Sequence, residues 1–147
     1  MSVAKILWVD DEIDSLTSQV MFLENKGYEV HTKTNGFDAV EFVKDNIVDV
    51  VLLDESMPGI TGLQTLQQIK ELKSNLPVVL ITKNEAENLM DEAIGSQISD
   101  YLIKPVNPNQ ILLVCKKFLE GKRIKGETVS RDYIQELNKI NMSMMEP

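Results

Sequence analysis

One cysteine, one histidine and one tryptophan occur among 147 residues, and each scarcity removes a class of explanation. A lone Cys115 cannot close an internal disulfide, so the fold must be held by a hydrophobic core and a reducing compartment is the natural setting. With no basic or histidine neighbour in sequence, Cys115 reads as a buried structural thiol rather than a nucleophile. His31 has no second ligand of zinc type near it and reads as an ordinary strand residue. No apolar run approaches the roughly 18 residues needed to cross a membrane, and the N-terminus lacks a basic segment followed by a signal-like apolar core. A cytoplasmic location without membrane contact is therefore expected. Positive charge is also short: 15 Lys and Arg stand against 23 Asp and Glu, a net charge of −8. The acidic excess lies in residues 1–120, so direct binding of a nucleic-acid backbone by that part is not expected.

Short apolar runs are present at regular intervals. Residues 5–9 (KILWV), 49–53 (DVVLL) and 77–81 (PVVLI) are aliphatic without polar alternation, the pattern of strands covered by helices on both faces. Residues 28–32 and 100–103 are weaker runs, suited to sheet edges. Amphipathic stretches of helical length fall between and after them, at 14–26, 36–45, 61–73, 84–95 and 108–120. Gly27 reads as a C-terminal cap, and Asn107, Pro108 and Gln110 as the N-cap, first-turn proline and capping-box residue of the last helix. Strict alternation of strand and helix predicts a doubly wound α/β fold, a five-stranded parallel sheet of order 2-1-3-4-5. Residues 1–120 form this domain, and 121–147 form a connector and the start of a helical segment.

Ligands of such sheets bind beyond the carboxyl ends of the strands, at the switch point between the first and third. Asp10, Asp11, Asp54, Thr82 and Lys104 each follow an apolar run at that end. Taken singly they are unremarked: an acidic run is usually a solvated helix start, Thr82 a strand-end hydroxyl, Lys104 a surface charge. Together they predict an acidic, metal-ready pocket with a hydroxyl and an ammonium beside it.

These residues lie in V-D-D-E (9–12), L-L-D-E-S-M-P-G-I-T-G (52–62), L-I-T (80–82) and D-Y-L-I-K-P (100–105). In that combination the chain resembles the receiver domain of two-component response regulators, a flavodoxin-like fold. The resemblance implies that Asp54 is the phosphoacceptor for a sensor histidine kinase or phosphotransfer protein. It implies that Asp11, Asp54 and the backbone carbonyl of Ser56 hold Mg²⁺, with Asp10 acting largely through a metal-bound water. Thr82 and Lys104 would hold phosphoryl oxygens, Tyr101 would be the aromatic switch residue, and the Lys104–Pro105 peptide would be cis. Lys83 departs from the family, where the residue after the strand-four hydroxyl is usually small. It either crowds the entrance or attracts an anionic donor, while Ser56 and Asn84 tune water access. Such a domain catalyses only its own phosphorylation and dephosphorylation and is not otherwise an enzyme. Phosphorylation would alter a face including Asp91, Glu92, Asp100, Lys116 and Lys117, driving homodimerisation or contact with a downstream effector or target protein.

Beyond the connector at 121–126, residues 130–144 carry a helical stripe of Ile134, Leu137, Ile140 or Asn141, and Met144, and the chain looks cut short at its end. The segments N-Q-I-L-L-V-C-K-K-F-L-E-G-K-R-I and S-R-D-Y-I are similar to Bacteroidetes regulators of type IX secretion, which join a receiver to an alkaline-phosphatase-like (PglZ-type) effector. Two other classes stay open. A stand-alone shuttle would bind its target when phosphorylated and need no tail. A Mg²⁺-dependent phosphohydrolase would share the acidic cluster but usually needs a second carboxylate two residues after its nucleophile, and position 56 is serine.

Overall fold

A computed structural model of the chain describes residues 3–83 and 97–119. The expected helix at 84–95, the tuning residue Asn84, the face residues Asp91 and Glu92, and the segment beyond 120 lie outside the described residues. Five strands, β1 (Lys5–Val9), β2 (Glu29–Lys33), β3 (Val50–Asp54), β4 (Val78–Thr82) and β5 (Asp100–Ile103), form one parallel sheet of order β2-β1-β3-β4-β5. The described helices are α1 (Thr17–Asn25), α2 (Gly36–Asp45), α3 (Gly62–Leu72) and α4 (Pro108–Leu119). The predicted strand order holds, with the two weaker runs at the edges.

Successive side chains of a strand point to opposite faces, and here both faces are covered. Ile6, Trp8, Val50, Leu52, Val79 and Ile81 pack on one side with Leu23 of α1 and Ile111, Val114 and Cys115 of α4. Leu7, Val9, Val51, Leu53, Val78 and Leu80 pack on the other with Ala39 and Val43 of α2 and Leu66 and Ile69 of α3. Every residue of β3 and β4 is buried, which is why neither run alternates. Each fully buried Leu or Val contributes about 1.5–3 kcal/mol. Cys115 belongs to the first of these cores, and burial pushes its thiol up to about 12, as expected of a structural residue. His31 bonds Glu29 at 2.6 Å and lies against the Phe42 ring, as an ordinary strand residue does.

Two expectations are corrected in detail. Strands β2, β3 and β4 each run one residue later than the apolar runs, because the backbone ladder continues through the polar residue at the end. Asp54 and Thr82 are thus the last residues of their strands. The first helix does not start as one α-helix: Ile13–Leu16 is a 3₁₀ turn, closed by Ser15 N–H donating to the Glu12 carbonyl at 2.9 Å, and α1 follows. Helix α2 begins as expected at 36: Asn35 caps it by accepting the Asp38 N–H, and Gly36 is its first residue.

The caps fix the helices where the site needs them. Gly27 follows α1 with φ +101°, a conformation glycine adopts without strain. Thr61 and Gln64 form a reciprocal capping box at α3, and Asn107 with Gln110 does the same at α4. Helix α3 begins against the end of β3: a Cβ at Gly62 would lie 2.4 Å from the Asp54 carbonyl oxygen and 2.6 Å from Glu55 Cα. Both neighbours are backbone and cannot swing aside. We expect Gly62→Ala to destabilise the fold by about 1–3 kcal/mol through overpacking, read as a lowered urea midpoint at unchanged slope.

Candidate functional site

The register delivers the polar residues to one edge. Val9 pairs with Leu53, so Asp10 emerges beside Asp54. Asp54 pairs with Ile81 and Thr82 with Ile103, so Thr82 and then Lys104 follow. Backbone bonds carry this order past the strands: Asp10 N–H to Lys33, Glu55 N–H to Ile81 and Lys104 N–H to Thr82, at 2.8–3.0 Å. The Lys104–Pro105 peptide is cis, as the resemblance implied.

Asp10 and Asp54 are buried and Asp11 is exposed, and the three present carboxylate oxygens within 4.8 Å of one another. Lys104 Nζ lies 3.1 Å from Asp54 Oδ1 and 3.6 Å from Asp10 Oδ2. Asp10 is oriented by the Glu12 N–H, which donates to Oδ1 at 2.8 Å, and the Ser56 N–H approaches Asp54 Oδ1 at 3.5 Å. Burial raises the Asp54 carboxyl above its ordinary value; the bond from Lys104 opposes this and the charge of Asp10 adds to it. For Lys104, burial alone would lower the ammonium, but bonding to Asp54 and the charges of Asp54 and Asp10 reverse the direction and raise it. The two shifts differ in their leading cause: burial dominates at Asp54, with the charge of Asp10 adding to it, whereas at Lys104 the two carboxylates that share the one ammonium outweigh burial.

Magnesium fits this donor set. It takes hard oxygen ligands in an octahedron whose edges and diagonals are roughly 2.9–4.2 Å, and the three aspartates each offer a hard oxygen within 4.8 Å of the other two. Ser56, two residues after Asp54, is exposed.

Thr82 is buried at the end of β4, and its hydroxyl donates to Glu55 Oε1 at 3.0 Å. Tyr101 is half-buried and packs on the core between the sheet and α3. Lys83 is exposed and lines, with Trp8, Asp10, Leu16, Lys104 and Val106, a cavity of about 440 Å³ beside the carboxylates. Asp10, Asp11, Asp54, Thr82 and Lys104 are therefore brought together. Glu55 is the neighbour that sequence reasoning missed. Its one signal was its position, directly after Asp54 at a strand end, where a side chain can reach the adjacent strand.

The family model for the response regulator receiver domain matches residues 6–116. Among curated proteins, the transcriptional regulatory protein ZraR of Klebsiella oxytoca is 34% identical over 125 residues, 85% of this chain and 28% of that protein. The transcriptional regulatory protein SrrA of Staphylococcus aureus is 32% identical over 127 residues, 86% of this chain and 52% of that protein. The chain thus spans 28% to 52% of the length of these two relatives. Among solved structures, chemotaxis protein CheY4 of Vibrio cholerae superposes with a TM-score of 0.74 at 27% identity, covering 80% of this chain and 100% of that one. Response regulator TrrA of Thermotoga maritima, solved in complex with Mg²⁺–BeF, superposes with a TM-score of 0.71 at 29% identity, with the same coverage.

The raised Asp54 carboxyl has a consequence for stability. The folded state holds that proton more tightly than the unfolded chain, so its contribution is favourable at low pH and is lost as pH rises from the ordinary carboxyl value through the raised folded one. Asp54→Asn, which mimics the protonated side chain and cannot ionise, should raise the Tm of metal-free protein at neutral pH. The gain should shrink as pH falls through the carboxylate range. Thermal melts in chelator at several pH values check both the sign and the trend.

Proposed function

The chain belongs to the response regulator receiver domain family, and on that premise we propose that Asp54 is the residue that accepts the phosphoryl group. Receivers of two-component systems take phosphoryl groups from histidine kinases and act on effectors, and they bind Mg²⁺ in their acidic site. The single observation carrying the assignment to Asp54 is its position. It is the buried carboxylate bonded to Lys104 at 3.1 Å and within 4.8 Å of both other aspartates.

In the proposed reaction a carboxylate oxygen of Asp54 attacks the phosphorus of a phosphohistidine or small phosphodonor. The oxygen–phosphorus bond forms as the bond to the leaving group breaks, the leaving group taking the electron pair. An acyl phosphate results, and attack of water on the same phosphorus later releases phosphate. Phosphoryl transfer has a loose transition state with charge spread over equatorial oxygens, so positioning and charge compensation dominate. Lys104 supplies a fixed ammonium where that charge develops. Thr82, once turned to the phosphoryl group, donates a hydrogen bond to one of its oxygens. Asp10, Asp11, Asp54 and the Ser56 carbonyl would hold Mg²⁺, whose chemistry there is to offset the repulsion between a phosphoryl group and the carboxylates. Exposed Lys83 at the cavity rim adds positive potential that draws anionic donors in, and Asn84 would flank the same entrance.

Output is proposed to pass through Thr82 and Tyr101 to the face that carries β5 and α4. Asp100 and Lys117 pair across it at 3.1 Å, a polar surface suited to a switchable contact with a homodimer partner or effector. Residues 121–147 are proposed to connect the receiver to such an effector. The likeness of residues 109–124 and 130–134 to Bacteroidetes type IX secretion regulators makes a PglZ-type effector the specific reading, resting on that sequence alone. Among the described residues no helix is long and apolar enough to cross a membrane.

Incubation with a small phosphodonor and Mg²⁺ should add one phosphoryl group, about 80 Da by intact mass. The gain should vanish in Asp54→Ala and with a chelator, and Lys104→Ala should slow it roughly a hundredfold. Undiminished labelling of Asp54→Ala would refute the assignment.

A further inference from the structure

The hydroxyl that the proposed reaction needs is already engaged. Thr82 Oγ1 donates to Glu55 Oε1 at 3.0 Å. A threonine hydroxyl has one proton to give, so while Glu55 receives it no phosphoryl oxygen can. Glu55 is also well anchored as a competitor. Its N–H donates to the Ile81 carbonyl at 2.9 Å, tying its backbone to the residue before Thr82, and its own carbonyl accepts the Gly62 N–H at 3.0 Å. The absence of a side chain at Gly62 lets the start of α3 close over this backbone. The side chain therefore starts from a fixed point one strand away from its target, with little freedom to lose in making the bond.

We propose that Glu55 is a positioning residue that holds Thr82 in the unphosphorylated arrangement, as an internal acceptor that an incoming phosphoryl oxygen must displace. The inference rests on Asp54 being the phosphoacceptor for its functional consequence, but the latch itself does not require that. Hydrogen bonds to an ionised acceptor are roughly twice as strong as neutral ones. The carboxylate therefore biases the resting state more than a glutamine would, and alanine removes the bias. Since both states differ in which acceptor Thr82 serves, whatever stabilises the bond to Glu55 is subtracted from the affinity for a phosphoryl group.

The test uses the full 147-residue chain with Mg²⁺ and beryllium fluoride as phosphoryl mimic. Glu55→Gln and Glu55→Ala are made alone and on a Thr82→Val background. Glu55→Ala should tighten the affinity for the mimic roughly tenfold, a value toward the lower end of what a charged hydrogen bond is worth because Glu55 is partly exposed. Glu55→Gln should tighten it less, and neither should change it on the Thr82→Val background. Equal tightening on both backgrounds would mean that Glu55 acts only as a repelling charge, and that would overturn the proposal, as would no tightening at all. A second readout needs no phosphoryl group: NMR couplings to the Thr82 methyl in ligand-free protein. They should report one side-chain rotamer in wild type and mixed rotamers in Glu55→Ala. Identical rotamer populations would overturn the latch. Released rotamers in a protein whose wild type takes no mimic would uphold the latch and sink the phosphoacceptor reading instead.

Discussion

Surplus negative charge at the carboxyl edge of the sheet is the constraint on which the rest of this structure depends. Asp10 and Asp54 are buried side by side, Asp11 joins them at the surface, and Lys104 is the cation bonded among them. An isolated buried carboxylate is expensive, and a second one nearby makes it more so. Burial raises the Asp54 carboxyl and the charge of Asp10 adds to it, while the paired carboxylates raise the Lys104 ammonium. A structure selected for stability alone would not leave two acids facing one base. The imbalance makes sense for a site that binds positive charge and then adds a phosphoryl group.

Holding those groups together is the task of the apolar sheet. The strands β1, β3 and β4 are buried on both faces, and their register sets Asp10, Asp54, Thr82 and Lys104 in order along one edge. Helix α3 then closes over the Asp54–Glu55 backbone through Gly62. The hydrophobic core thus fixes positions that the carboxylates, left to their mutual repulsion, would not hold. Strain is met by geometry rather than by added counter-charge, which leaves room for a ligand to supply it.

Much of this was legible in sequence because burial leaves a direct imprint. The runs KILWV, DVVLL and PVVLI lack alternation since helices cover both faces, and the weaker runs fall at the edges where one side is open. Helix α2 was placed well because Ala39 and Val43, both buried, repeat at helical spacing within the stretch 36–45. The misplacements have equally local causes. The ladder extends through Asp54 and Thr82, whose polarity resembles that of loop residues, and the Asp10 carboxylate binding the Glu12 N–H starts a tight turn that delays α1. The bond from Thr82 to Glu55 was not legible at all. It joins side chains on neighbouring strands and depends on rotamers that no periodicity records.

Isothermal titration of Mg²⁺ into the phosphate-free protein addresses the electrostatic account most directly. One saturable site in wild type, abolished in Asp11→Asn and accompanied by release of protons as pH nears the Asp54 range, is the predicted result. Absence of saturable binding, or binding unaltered by loss of Asp11, would contradict the claim that the acidic edge is built to receive a divalent cation.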